Sequence, residues 1–182
     1  MSNTPFIVEF WEDKVKENDR SLAIIGAALI DEQLEELLAS FFIEQPKTTG
    51  FLLSPTGPLG AFGVRNQLAY ALGLIDRPTF RDIKLIQKIR NQFAHVAEDI
   101  DFSNNRLQGF SSTLEIPQWV GEAEDEDPDS PRGRFFSGVR GILWHLATES
   151  LRIKREGRRQ EPEPIFPLGD REGIEFEKKE IT

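Results

Sequence analysis

The sequence contains no cysteine, which excludes disulfide bonds and thiolate metal sites. It lacks an N-terminal basic region followed by an apolar run, so we expect no secretory signal. Its longest apolar run, residues 22–30, is too short to span a bilayer, and we expect no membrane contact. These absences fit a reducing cytoplasm, which is the localisation that we predict.

Basic residues are outnumbered: 22 Lys and Arg stand against 31 Asp and Glu, giving a net charge of −9. Nucleic-acid binders draw much of their affinity from basic side chains that displace counterions from phosphates. We therefore do not expect this protein to bind duplex DNA directly. The phosphate loop, the dinucleotide fingerprint, the nucleophile elbow and the zinc motifs are also missing. The sequence thus predicts no cofactor and no metal, and it contains no motif that favours an enzyme.

The overall composition is typical of a globular protein: of its 182 residues, 38% are hydrophobic and 29% are charged. Hydrophobic periodicity predicts an all-α, single-domain bundle of about five or six helices over residues 1–160. A proline- and charge-rich tail follows at residues 161–182. Residues 45–60 are rich in proline and glycine and predict a long loop. The segments LQGF (107–110) and STLEI (112–116) allow a short hairpin before the last helix.

One helix, residues 83–96 (IKLIQKIRNQFAHV), organises the prediction. Its apolar residues recur every three or four positions, which is the spacing of one buried helix face. Asp19 is the expected N-cap of a long helix that follows it, and Ser130 with Pro131 is the expected start of the last helix.

A polar cluster lies on the same organising helix. At about 100° per residue, Asn91 and His95 share one side, whereas Arg90 lies at the other margin of the apolar stripe. A buried guanidinium requires a partner, and Asp31 is a candidate partner for Arg90 or for Arg65. His95 either bonds a backbone carbonyl or points into a groove where a ligand or second chain sits.

Two groups of residues could act on nucleic acid. A histidine can be a general base and an arginine can hold a phosphate, so Arg90 and His95 could cleave RNA through its 2′-hydroxyl without a metal. A basic cluster near the end of the last helix either complements the helix dipole and pairs with nearby acids, or contacts a phosphate. Its members are Arg152, Lys154, Arg155, Arg158 and Arg159.

Three segments, read in order, resemble the mannitol operon repressor family: SLAIIGAALIDEQLEELLASFF, GPLGAFGVRNQLAYALGLI and DIKLIQKIRNQFAHV. The resemblance covers residues 20–96 and continues more loosely through residues 131–155. It implies an all-helical fold and a role in transcriptional regulation through a protein partner, without a helix-turn-helix. The family's motif residues are Asp31, Arg65, Asn91 and His95 here, and the resemblance implies that they form a structural polar network joining three helices.

A second resemblance is to HEPN domains, whose motif is an arginine, a polar residue and, four to six positions later, a histidine. Arg90, Asn91 and His95 fit this motif, which implies an RNase or RNA-binding site formed where two subunits meet. The leading hypothesis is a non-enzymatic regulator that binds proteins and forms a homodimer. The alternatives are a HEPN-like, metal-independent RNase or RNA-binding module and a DNA repressor that uses the basic cluster.

Overall fold

A computed structural model describes residues 5–95, 100–118 and 127–157. All regular secondary structure in this part of the chain is helical, without a strand, which confirms the predicted all-α fold. Two short 3-10 helices cover Asp13–Lys16 and Ile116–Gln118. The seven α-helices are α1 (Phe6–Glu12), α2 (Asp19–Phe41), α3 (Pro46–Leu53), α4 (Phe62–Ala71), α5 (Arg77–His95), α6 (Asn105–Ser112) and α7 (Pro131–Glu156).

Helix α2 is the central element and packs against α3, α4, α5 and α7. Its first half is apolar on nearly every side, so Leu22 and Ile30 are completely buried. Gly26 faces Trp11 of α1, and a Cβ added there would come within 2.9 Å of the indole. The glycine therefore lets α1 lie close to α2.

The apolar stripe of α5 is buried as its spacing predicts. Ile83, Ile86, Ile89 and Phe93 are each at most 1% exposed, and they face the core that α5 shares with α2 and α7. The fifth position of the stripe, Val96, lies outside the described residues. Because the apolar face points inward, the polar side chains of α5 are left at its margins, where a site can form.

Two helix starts were predicted, and one is wrong. Ser130 caps α7 by accepting a hydrogen bond from the amide of Gly133, which confirms that start. Asp19 is instead the first residue of α2, and Asn18 is its N-cap. The Asp19 carboxylate is committed elsewhere, because it accepts a 2.8 Å hydrogen bond from the amide of Phe102.

The predicted loop and hairpin both contain helix. Residues 45–60 include α3, which begins at Pro46, a position where proline costs no hydrogen bond. The hairpin is wrong: LQGF lies within α6, which Asn104 caps and which buries Leu107 and Ser111. With these short helices, the described residues contain seven α-helices, one more than the predicted five or six. The predicted tail, residues 161–182, lies outside the described residues.

Candidate functional site

A buried guanidinium joins α4 to α2. Arg65 is only 4% exposed, and its Nη1 lies 2.8 Å from Oδ1 of Asp31. Its Nη2 lies 2.7 Å from Oε2 of Glu35 and donates a 2.7 Å hydrogen bond to the carbonyl of Leu53. Its Nε donates a 2.9 Å hydrogen bond to the carbonyl of Leu59. Four acceptors therefore surround one charge, which satisfies a group that would be costly to bury alone.

The acceptors come from two places that the chain brings together. Asp31 and Glu35 lie one turn apart on the same side of α2, as an i,i+4 spacing requires. Leu53 ends α3, and Leu59 lies in the turn after it. Arg65 thereby fixes the α3–α4 connection onto α2. Its neighbour Asn66, which is 1% exposed, donates to the carbonyl of Phe80 and joins α4 to α5.

The structure divides the four residues of the predicted polar network between two places. Asp31 and Arg65 form the α2–α4 pair. Asn91 and His95 lie on the side of α5 that faces α6, and no hydrogen bond links them to that pair in the described chain. Among the described residues, the four side chains therefore do not form one network joining three helices, because Arg65 bonds to Asp31 of α2 and to the α3–α4 connection.

Asn91 and His95 instead line a groove of about 430 Å³ between α5 and α6. Two cations lie on one aromatic ring of this groove: the Lys88 ammonium is 5.8 Å and the Arg106 guanidinium carbon 5.7 Å from the centroid of Phe110. Among the described residues, the groove is lined by Lys88, Asn91, Gln92, His95, Arg106 and Phe110, and none of these six is a carboxylate. His95 is exposed, so it faces the groove rather than a buried carbonyl.

Arg90 does not reach this groove. It is half-buried at the other margin of α5, and no hydrogen bond or ion pair joins its side chain to any residue in the part of the chain that the structure describes. The proposed partner Asp31 is bound to Arg65 instead. A single chain therefore does not place the guanidinium of Arg90 and the imidazole of His95 around one phosphate, as joint RNA cleavage would require.

Two of the three described members of the basic cluster are paired with acids. Arg152 bonds to Glu149 and Glu156, and Lys154 bonds to Glu36 of α2. The hydrogen bond from Arg152 holds the pKa of Glu149 below its usual value. Arg155 is exposed, and Arg158 and Arg159 lie outside the described residues. The described part of this cluster therefore presents little free positive charge, as the helix-end interpretation expects.

Sequence reasoning missed two features. Arg106, the second cation of the groove, directly precedes the segment interpreted as a hairpin. Its position one turn from Phe110 follows only from the helical conformation of α6. Asp82 of α5 is completely buried and accepts hydrogen bonds from the amides of Glu115 (2.9 Å) and Ile116 (2.8 Å). Burial raises the pKa of Asp82 above its usual value. This carboxylate fastens the segment after α6 to α5.

Neither a metal site nor a membrane span is found within residues 5–95, 100–118 and 127–157. No group of three or more His, Asp or Glu in these ranges is arranged to hold a metal ion. None of their helices is long and apolar enough to cross a membrane. The imidazole Nε2 of His145, which is buried, has no hydrogen-bond partner there.

The fold and its sites define an all-helical domain held together by a buried guanidinium. The family model described as "Mannitol repressor" matches residues 9–136, and the chain belongs to this family. Two relatives, each a mannitol operon repressor, come from Escherichia coli strain K12 and strain O6:H1 (CFT073). Each is 28% identical over 94 residues, which are 50% of this chain and 48% of the relative. The match thus spans about half the length of these curated relatives.

The fold is also that of a solved structure. A chain in the X-ray structure of the MtlR–HPr complex from Escherichia coli superimposes with a TM-score of 0.58 and 22% sequence identity. The match covers 82% of this chain and 99% of that chain. This similarity extends the all-helical arrangement beyond the segment that the sequence relatives share.

Proposed function

We propose that this protein is a non-enzymatic transcriptional regulator of the mannitol operon repressor type, which acts by binding another protein rather than DNA. The observation that carries the proposal is that the solved chain of the same fold is held in a complex with HPr. Membership of the mannitol repressor family supports the regulatory role. We also keep the homodimer and the cytoplasmic location as predictions.

The charge distribution favours a protein partner over DNA. The net charge is −9, and the α7 cluster, the densest basic segment of the sequence, has Arg152 and Lys154 already paired with carboxylates. A DNA-binding surface requires several unpaired cations aimed at phosphates. The outer face of α7 also exposes 43% of Trp144 and 60% of Leu151, seven positions apart and therefore on one side of the helix. Exposed aromatic side chains of this kind often anchor protein interfaces.

We expect the full chain to bind HPr from the same organism, with a dissociation constant on the order of 1–100 µM by isothermal titration calorimetry. Trp144→Ala should weaken binding at least about fivefold if α7 contributes an anchor. Phe51→Ala is the matched control, because Phe51 is 67% exposed on α3, a helix that packs chiefly on α2. If about 100 µM protein gives no heat of binding in calorimetry and no chemical cross-link to HPr, the HPr-binding function is contradicted.

A second candidate function is the HEPN-like, metal-independent RNase or RNA-binding module. The observation that favours it is that Asn91 and His95 line a groove together with two cations. The position of Arg90 outside that groove argues against the RNase function. We expect structured and single-stranded RNA to remain intact after incubation with the protein in EDTA, on a denaturing gel. Cleavage by the wild type that disappears in a folded His95→Ala variant would establish the RNase instead.

A further inference from the structure

We propose that the groove between α5 and α6 binds a phosphomonoester dianion. This site lies outside the protein-binding role proposed above and does not depend on it. The described lining of this groove contrasts with the acidic composition of the chain, since two of its side chains carry positive charge and none of the described ones carries negative charge.

The two cations of the groove have no carboxylate partner among the residues that the structure describes. Lys88 and Arg106 each make a contact with the ring of Phe110, and no ion pair joins either of them to a described acid. Elsewhere in the same residue ranges, some cations are neutralised by an acid and others, such as Arg90, are not. Those bonded to Asp or Glu are Arg65, Arg81, Arg132, Arg140, Arg152 and Lys154. The groove therefore retains charge that a bound anion can neutralise.

Both cations lie near the ring of Phe110. A cation within about 6 Å of an aromatic centroid is attracted by the ring, yet the ring carries no net charge to neutralise it. Because Lys88 comes from α5 and Arg106 from α6, the ring brings together charges from two helices. A ligand in the groove would thus meet two positive charges that lie close to the same ring.

The remaining lining residues suit a phosphate group. Asn91, Gln92 and His95 carry N–H donors, and a phosphomonoester offers three strongly accepting oxygens. Its charge of about −2 near neutral pH matches the two cations, whereas a phosphodiester or a carboxylate carries only one charge. The volume of about 430 Å³ leaves room for a small organic group beside the phosphate. The geometry therefore favours a small phosphorylated molecule or free phosphate.

The test is an NMR titration of the full chain, at constant ionic strength, with inorganic phosphate, glycerol 3-phosphate and dimethyl phosphate. We expect saturable shifts of the amides of Asn91, His95 and Arg106, with dissociation constants on the order of millimolar for the two dianions. Tighter binding of glycerol 3-phosphate would indicate an organic ester as the ligand, and equal binding would indicate free phosphate. Dimethyl phosphate, a monoanion, should bind at least about tenfold more weakly.

Two variants test the cations, and a third is the control. Lys88→Met and Arg106→Gln should each weaken phosphate binding about tenfold. Lys84→Met should leave it unchanged, because Lys84 also lies over an aromatic ring, 5.2 Å from the centroid of Phe80, one turn earlier on α5 and outside the groove. An equal loss in Lys84→Met would overturn the proposal. So would binding of an RNA oligonucleotide at this groove when inorganic phosphate and glycerol 3-phosphate cause no shifts.

Discussion

Replacing Arg65 with methionine is expected to lower the free energy of unfolding by about 3–5 kcal/mol. Methionine retains much of the side-chain length but donates no hydrogen bond. The carbonyls of Leu53 and Leu59 would lose their donor, and Asp31 would lose its counter-charge at the α2–α4 contact. Urea denaturation followed by circular dichroism measures this change, with the slope of the transition showing whether the native state remains compact.

The matched control is Arg81→Met on α5. Arg81 also pairs with a carboxylate, Glu115, but its side chain is 52% exposed, so water replaces the lost partner. We expect this variant to lose less than about 1 kcal/mol. An equal loss of unfolding free energy in the two variants would show that the burial of Arg65 does not determine how much it stabilises the fold. Arg65→Lys should fall between them, because an ammonium keeps the charge and loses the planar fork of donors.

The sequence predicts those parts of the fold that depend on local patterns. The stripe of α5 repeats at helical spacing through Ile83, Ile86, Ile89 and Phe93, and burial of one face follows directly from that period. Ser130 and Pro131 mark the start of α7 because capping involves residues only three positions apart. Such signals require no knowledge of what packs against the helix.

Features that depend on distant contacts were not predictable in the same way. Helix α6 has Gly109 and two serines, so its composition resembles that of a turn, and it is helical because Leu107 is buried against the core. The pairing of Asp31 with Arg65 rather than Arg90 joins residues 34 positions apart. The groove likewise needs Arg106 of α6 opposite Lys88 of α5, and an interpretation of α6 as a hairpin hides that arrangement.

The second large effect concerns the attachment of α1. Trp11 is completely buried, stacks on Phe136 with 5.0 Å between ring centroids, and donates a 3.1 Å hydrogen bond from its indole nitrogen to the carbonyl of Phe136. Trp11→Ala is expected to cost about 3–5 kcal/mol, because Trp11 is the larger of the two buried side chains of the seven-residue helix α1. Phe10→Ala, on the same helix and 37% exposed, should change stability by less than about 1 kcal/mol.

Gly26 makes this prediction sharper through a double-mutant cycle. In the wild type, a Cβ at Gly26 would lie 2.9 Å from the indole and 3.2 Å from Val139, so Gly26→Ala should be destabilising. Once Trp11 is alanine, the indole contact is gone and only the contact with Val139 remains, while alanine favours the helix, so Gly26→Ala should be much less destabilising. Thermal denaturation of the four proteins gives the coupling energy. Additive effects would mean that Trp11 does not pack on α2 at Gly26, and the close approach of α1 to the central helix would have to be abandoned.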